Sequence, residues 1–318
     1  MKTIASYLLG GLVLLSAASC THSEFKKTKS GLLYKIYSDG KGETAKPKQF
    51  LKASVTEKVR DSMLFSTDGK MPMYVPVDSP RPIYSPIEIF PMLRKGDSAV
   101  VIQLADTLAR KMQGQLPPWL KKKDKILVTF KVLDVFASEE ALNNDRNQEM
   151  AKQKDREVKE VENYLSKNNI HAQKQPQGTY VVVASEGNGP KADSGKQVSV
   201  RYTGKLIPSG KVFQSNMDDT AAGSAYKFVI GTHTSIPGFD EGLRSFRKGG
   251  AGTLYLPAFV AYDAQRGPGG DQFENLIFEV KVVDVTDAPP PAPTQMPMAP
   301  QGQQQPAGGA ARPAQPRK

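Results

Sequence analysis

Cysteine is almost absent: this 318-residue chain holds one, Cys20. Beyond that position the protein has no thiol nucleophile, no disulfide framework and no redox liability in an oxidising compartment. Histidine is nearly as scarce. His22, His171 and His233 are the only three and stand far apart, which speaks against a histidine metal cluster. No Gly-rich loop ending in Lys-Ser/Thr is present to cradle phosphate, and no serine sits in a nucleophile elbow. These gaps remove thiol, serine-triad, zinc and nucleotide chemistry, and no cofactor is implied.

What is present begins with a targeting pattern. Lys2 gives a short positive start, Ile4 to Leu15 an apolar core, and Ala17-Ala18-Ser19-Cys20 small residues before the cysteine. The run is too short and too early for a bilayer span and reads as a secretory signal over 1–20. Cys20 stands where a bacterial lipoprotein is cleaved and acylated. Ordinary cleavage is the alternative, since Ala17 and Ser19 also fit a small-x-small site. The expectation is a lipoprotein of the bacterial cell envelope, membrane-anchored and facing the periplasm.

Charge is uneven. Residues 21–137 carry 21 Lys/Arg against 12 Asp/Glu, whereas residues 171–287 carry 12 of each. A basic half usually raises nucleic acid as a partner, but an exported protein seldom meets it. Membrane surface, anionic glycolipid or acidic clients suit the charge better, and a solvated face suits it equally.

The chain repeats itself. Gly31, Gly40 and Gly42 are echoed by Gly178, Gly187 and Gly189, and Leu93-Arg94-Lys95-Gly96 by Phe246-Arg247-Lys248-Gly249. Each half closes on a strand with period-two alternation, Val128 to Val135 and Phe278 to Val285. A period of about 150 residues is far longer than a solenoid repeat and signals two copies of one domain. Short strands punctuated by Gly, Pro and Asn, with one helical stretch per copy (Ser85 to Leu93, Gly238 to Phe246), give an α+β class with antiparallel sheets. The expected division is 21–137, a charged helical linker over 138–170, 171–287, and a Pro/Gln/Ala-rich tail over 288–318 too poor in apolar residues to fold. In the linker Ser138 caps the start with Glu139 and Glu140 in the first turn. Met150, Lys154, Val158, Val161 and Leu165 form its thin stripe, which reads as a largely exposed spacer or as a contact with a neighbouring domain or subunit.

The second half also gathers aromatic and aliphatic islands: Val200-Arg201-Tyr202-Thr203-Gly204, Lys211-Val212-Phe213, Ile236-Pro237-Gly238-Phe239, Ala261-Tyr262 and Leu276-Ile277-Phe278. No convergent acid, base, thiol or metal ligand accompanies them. Such a site suits a reaction that needs a shaped apolar pocket. On these motifs residues Thr179 to Val285 resemble the FKBP-type peptidyl-prolyl cis-trans isomerases. The resemblance implies an antiparallel sheet half-wrapped around one short helix in each copy, the two FKBP-like domains being joined by the charged helix.

It further implies a cleft between sheet and helix formed by Tyr202, Phe213, Tyr226, Ile236, Phe239, Tyr262 and Phe278. Tyr262 matches the tyrosine that hydrogen-bonds a ligand carbonyl, and Ile236 offers its backbone N–H. Two departures imply weaker macrolide binding and lower turnover: Gln214 where the active pattern has Asp, and the short loop Gly269 to Phe273, with only Phe273 left to cover the cleft. The first copy reads as degenerate. Phe65 stands opposite Phe213 and Ile83 opposite Ile236, but Pro86 replaces Phe239, Ala109 replaces Tyr262, and Ala53 or Ser54 replaces Tyr202. The expected activity is prolyl isomerisation of exported, proline-containing polypeptides. The alternative is a non-enzymatic chaperone or scaffold that binds extended chains.

Overall fold

The computed structural model describes residues 24–79, 81–111, 114, 116–218 and 223–289. The expected signal segment with Cys20, and nearly all of the 288–318 tail, lie outside the described residues.

Two seven-stranded antiparallel sheets share one topology. The first holds β1 (Lys26–Lys27), β2 (Leu33–Tyr37), β3 (Phe50–Val59), β4 (Ser62–Ser66), β5 (Met73–Pro76), β6 (Ser98–Leu104) and β7 (Lys125–Phe136). The second holds β8 (Gln173–Lys174), β9 (Tyr180–Ser185), β10 (Lys196–Leu206), β11 (Val212–Ser215), β12 (Tyr226–Val229), β13 (Ala251–Leu256) and β14 (Leu276–Asp287). Order runs β1-β2-β6-β7-β3-β4 and β8-β9-β13-β14-β10-β11, with β5 and β12 pairing the far ends of β3 and β10. Period-two sequence decides which face is inside. Ile126, Val128, Phe130 and Val132 of β7 point into one core, and Phe278, Val280 and Val282 of β14 into the other.

Both sheets carry a bulge at the same place, Leu133 of β7 opposite Lys52 and Ala53 and Val283 of β14 opposite Ser199 and Val200. That shared irregularity fixes the correspondence of the copies and corrects two alignments. Ala53 pairs with Val132 and Val200 with Val282, so the counterpart of Tyr202 is Val55, not Ala53 or Ser54. Glu57 pairs with Phe65 where Gly204 pairs with Gln214, so Phe65 takes the register position of Gln214. Phe213 and Leu64 are the extra residues of the two edge-strand bulges.

Helices fill the concave side of each sheet. In the second copy α3 (Pro237–Leu243) is a short α-helix buried almost throughout. Its counterpart, Pro86–Met92, is a 3-10 helix instead. Pro91 inside it has no N–H to give to a carbonyl four residues back, so the segment winds more tightly. The first copy adds α1 (Ala105–Lys111) where the second has only a 3-10 turn, Ala258–Val260.

The connecting helix α2 (Glu139–Lys167) starts as its sequence indicates, with the Ser138 hydroxyl accepting from Ala141 N at 3.3 Å. Its buried side, however, is Leu142, Glu149, Gln153, Glu157, Val161 and Leu165. Of the expected stripe, Met150 and Val158 are half-buried and Lys154 is exposed. Instead of a solvated spacer, α2 lies on the outer faces of both sheets. Its first half holds Lys52 through Asp145 (2.8 Å) and Glu149 (3.2 Å), with Tyr74 donating to Asp145. Its second half packs Val161 and Leu165 on Tyr180, Tyr255 and Ile277. Polar burial at specific partners seats the first half of this helix, and Val161 and Leu165 of the expected stripe seat the second. No described helix is long and apolar enough to cross a membrane.

Candidate active site

The cleft forms where β10, β11, β12 and β14 curl over α3. Tyr202 stands at its centre, on the concave face of β10. Its ring meets Phe239 edge-on at 5.7 Å, Phe278 at 5.7 Å and Tyr226 at 6.2 Å between centroids. Phe239 and Phe278 close the floor at 5.0 Å, and Phe213 stands perpendicular to Phe278 at 5.9 Å. Edge-to-face pairs of this kind add about 0.5–1.5 kcal/mol each beyond area burial and fix the ring planes. The result is an open cavity of about 480 Å³. Tyr202, Phe213, Tyr226, Ile236, Phe239, Tyr262 and Phe278 all line it, as does Gln214.

Local chemistry explains how each wall is held. Gly204 makes room for Phe213: a Cβ there would lie 2.4 Å from the ring's Cζ. Ile236 is the N-cap of α3, and its carbonyl accepts from Phe239 N and Asp240 N, both at 3.1 Å. Asn216 pins Tyr202 from behind: its Oδ1 accepts from Tyr202 N at 2.6 Å, and its own N–H reaches the Tyr202 carbonyl at 3.0 Å. Tyr226 donates to the Thr234 carbonyl at 3.3 Å, which ties the rim loop His233–Ser235 to the wall. Among the described residues the Tyr202 and Tyr262 hydroxyls have no hydrogen-bond partner within the protein. Burial, with Tyr262 and Tyr226 nearby, pushes the Tyr202 phenol above its ordinary range, so it stays a neutral donor.

Sequence reasoning missed the buried glutamate of each helix. Glu241 accepts from Gln177 N at 2.5 Å and Thr179 N at 3.1 Å, and Glu88 accepts from Tyr84 N at 2.5 Å and Ser30 Oγ at 2.7 Å. Each ties its helix to the turn before β9 or β2, and no apolar period reports such a link. Gln265 of the lining and Asn216 behind Tyr202 were likewise invisible to residue-type patterns.

The loop before β14 behaves differently from expectation. Phe273 does not cover the cleft. It is 9% exposed and faces away, into a cavity bounded by Asp68 to Lys70 and by Gln153, Arg156, Glu157 and Glu160 of α2. The loop is ordered on Glu274, whose carboxylate accepts from Gly269 N (2.8 Å) and Asp271 N (3.0 Å), while Asp271 pairs with Lys70 at 3.3 Å. In the first copy Ala109 is buried, and Tyr84, just before the 3-10 helix, is buried with its hydroxyl accepting from Leu104 N at 3.0 Å. Aromatic bulk there serves the core, not a cleft.

No group of three or more His, Cys, Asp or Glu that could hold a metal occurs among the described residues. The cleft offers shape, apolar contact and the Tyr202 and Tyr262 hydroxyls.

Comparison with known proteins points to one family. The family of FKBP-type peptidyl-prolyl cis-trans isomerases matches residues 189–283. The FK506-binding protein of Streptomyces anulatus is 36% identical over 103 residues, covering 31% of this chain and 80% of that protein. FK506-binding protein 4 of Mycosarcoma maydis is 36% identical over 129 residues, 41% of this chain and 32% of the relative. The chain thus spans about a third of that relative's length, and 23% of the Arabidopsis thaliana isomerase FKBP53. Among solved structures, FkpA from Escherichia coli is 27% identical over 48% of this chain and 69% of its own, with a TM-score of 0.37. The chain belongs to the FKBP-type peptidyl-prolyl cis-trans isomerases.

Proposed function

We propose that this protein catalyses cis–trans isomerisation of X-Pro bonds in exported polypeptides, with the second unit doing the chemistry. The observation that carries this reading is the convergence of seven apolar and aromatic residues on one open cleft without an acid–base pair. Rotation about X-Pro faces a barrier of roughly 18–20 kcal/mol and takes tens of seconds or longer unaided. The twisted transition state loses amide resonance and is less polar than the planar ground state. An aromatic cleft shaped to the twisted proline binds it better than the planar form, which is what lowers a barrier. Tyr262 supplies the hydroxyl donor for the rotating carbonyl, and Tyr202, Phe239 and Phe278 supply the floor for the pyrrolidine ring. Gln214 contributes a neutral polar rim.

The protein sits in the bacterial envelope, tethered through Cys20, with proline-containing exported chains as clients. The motif Ala17-Ala18-Ser19-Cys20 supports that placement. A protease-free prolyl isomerisation assay on the protein, with a macrolide inhibitor, tests the activity. Acceleration that the macrolide abolishes is expected; none from folded protein overturns the reading. Cys20→Ser is expected to move the protein from the membrane to the soluble fraction, and unchanged partition would end the tether.

A second reading, holding of extended polypeptides without turnover, draws on Met63, Ile83, Met92 and Trp119, all exposed on the first unit. It predicts aggregation suppression that survives Tyr262→Phe.

A further inference from the structure

Tyr262 has no strand or helix of its own to hold it. It sits just past the 3-10 turn Ala258–Val260, and the Ala258 carbonyl accepts from both of its neighbours, Ala261 N and Asp263 N, each at 2.8 Å. Wherever Ala258 goes, Tyr262 follows.

Two side chains grip that turn from outside. Asn275 Oδ1 accepts from Ala258 N at 2.8 Å. Glu157, on the connecting helix, accepts from Phe259 N at 2.9 Å. Asn275 is itself held by α2, donating to the Glu157 carbonyl at 3.3 Å and the Glu160 carboxylate at 2.7 Å. The Phe259 ring is fixed as well, under the Lys154 ammonium at 5.4 Å and against Gly178, where a Cβ would lie 2.7 Å from Cζ.

Glu157 is only 2% exposed. Its carboxylate is satisfied by Phe259 N and by Gln153 Nε2 at 3.0 Å. Burial, with Asp263 nearby, pushes its acid range upward. An apolar residue at this position would seat the helix without that desolvation cost, so seating alone does not account for a glutamate here. Building on the isomerase reading of the cleft, we propose that Glu157 is a positioning residue for Tyr262, through which the connecting helix sets the geometry of the cleft. The first unit then contributes through its contacts with α2 and with the loop after Tyr262. It anchors the other half of α2 through Lys52, Asp145 and Glu149 and braces the loop after Tyr262 through Lys70 and Asp271.

The test uses the full chain with Glu157→Ala and Glu157→Gln, each with Tyr262 intact and with Tyr262→Phe. With Tyr262 intact, Glu157→Ala is expected to lower kcat/KM about tenfold, the size of one lost hydrogen bond to a buried charged acceptor. Gln retains a carbonyl acceptor for Phe259 N and is expected to restore most of that. In the Tyr262→Phe background the loss should shrink to under about twofold, because coupled residues are non-additive. Equal losses in both backgrounds, or none with Tyr262 intact, overturn the proposal. Ring resonances of Tyr262 and amide exchange at Phe259 give a readout free of turnover. Both are expected to change in Glu157→Ala, and an unmoved Tyr262 ring refutes the positioning role. Inactive wild-type protein would instead count against the isomerase reading, leaving the resonance test to decide the positioning role by itself.

Discussion

Gly204→Ala separates the cleft from the fold that carries it. The added Cβ would lie 2.4, 2.6 and 3.1 Å from three atoms of the Phe213 ring, against ordinary contacts of 3.4–4 Å. The ring must therefore retreat by about 1 Å. It is only half-buried and sits in a bulge of the edge strand β11, so it swings outward while β10 stays in register. Overpacking of this kind costs about 1–3 kcal/mol. The loss of glycine's freedom in the unfolded chain returns about 0.4–1 kcal/mol. The net is a destabilisation of about 1 kcal/mol, or a Tm lower by roughly 4–8 °C for a unit of this size. Activity should suffer more. The Phe213–Phe278 pair loses its edge-to-face geometry, worth about 0.5–1.5 kcal/mol, and the cleft loses one wall. A fall in kcat/KM of about tenfold corresponds to 1.4 kcal/mol of transition-state binding. The assay is prolyl isomerisation on full-length protein beside thermal unfolding followed by circular dichroism. Unchanged kcat/KM would refute the assignment of Phe213 to the site, and a collapse in Tm with proportionate loss of activity would make it a core residue.

Phe239→Ala removes a ring that is 2% exposed and meets four others, so a loss of about 3–5 kcal/mol is expected in denaturant unfolding, with activity falling alongside. Tyr262→Phe keeps the ring and should leave stability within about 1 kcal/mol while kcat/KM drops, because the hydroxyl has no partner among the described residues to lose. Acid should act on the two halves of α2 in opposite senses. Asp145 and Glu149 feel burial upward, but hydrogen bonds and charge from Lys52, with Tyr74 beside Asp145 and Lys152 beside Glu149, hold them below the usual carboxylate range. Their contribution is full above about pH 5 and disappears as pH falls through those lowered values. Burial holds Glu157 and Glu160 above the usual range, so their side of the helix gains as pH falls. Amide exchange between pH 5 and 3 is expected to lose protection around Lys52 and Tyr74 before Ala258 and Phe259; the reverse order would refute this.

The sequence by itself determined the repeated unit, the antiparallel sheets and the inward-facing residues. These rest on period-two alternation, on turns and on a duplicated pattern, each readable within a few residues. The set of residues that meets in the cleft was implied by the family resemblance of its motifs and not by alternation, since Tyr202 lies inside β10 and Tyr262 belongs to no strand or helix. The pairing register decided that Val55 stands for Tyr202, since Ala53 on Val132 and Val200 on Val282 follow the same irregularity in each sheet. Tertiary structure alone decided the course of Phe273, which a loop of glycines leaves free to turn either way, and it turned toward α2. It also decided the seating of that helix. Glu157 finds Phe259 102 residues away, and Lys52 reaches Glu149 across 97. A buried carboxylate has no periodicity to announce it, because its stability depends on donors that only the folded chain brings within 3 Å.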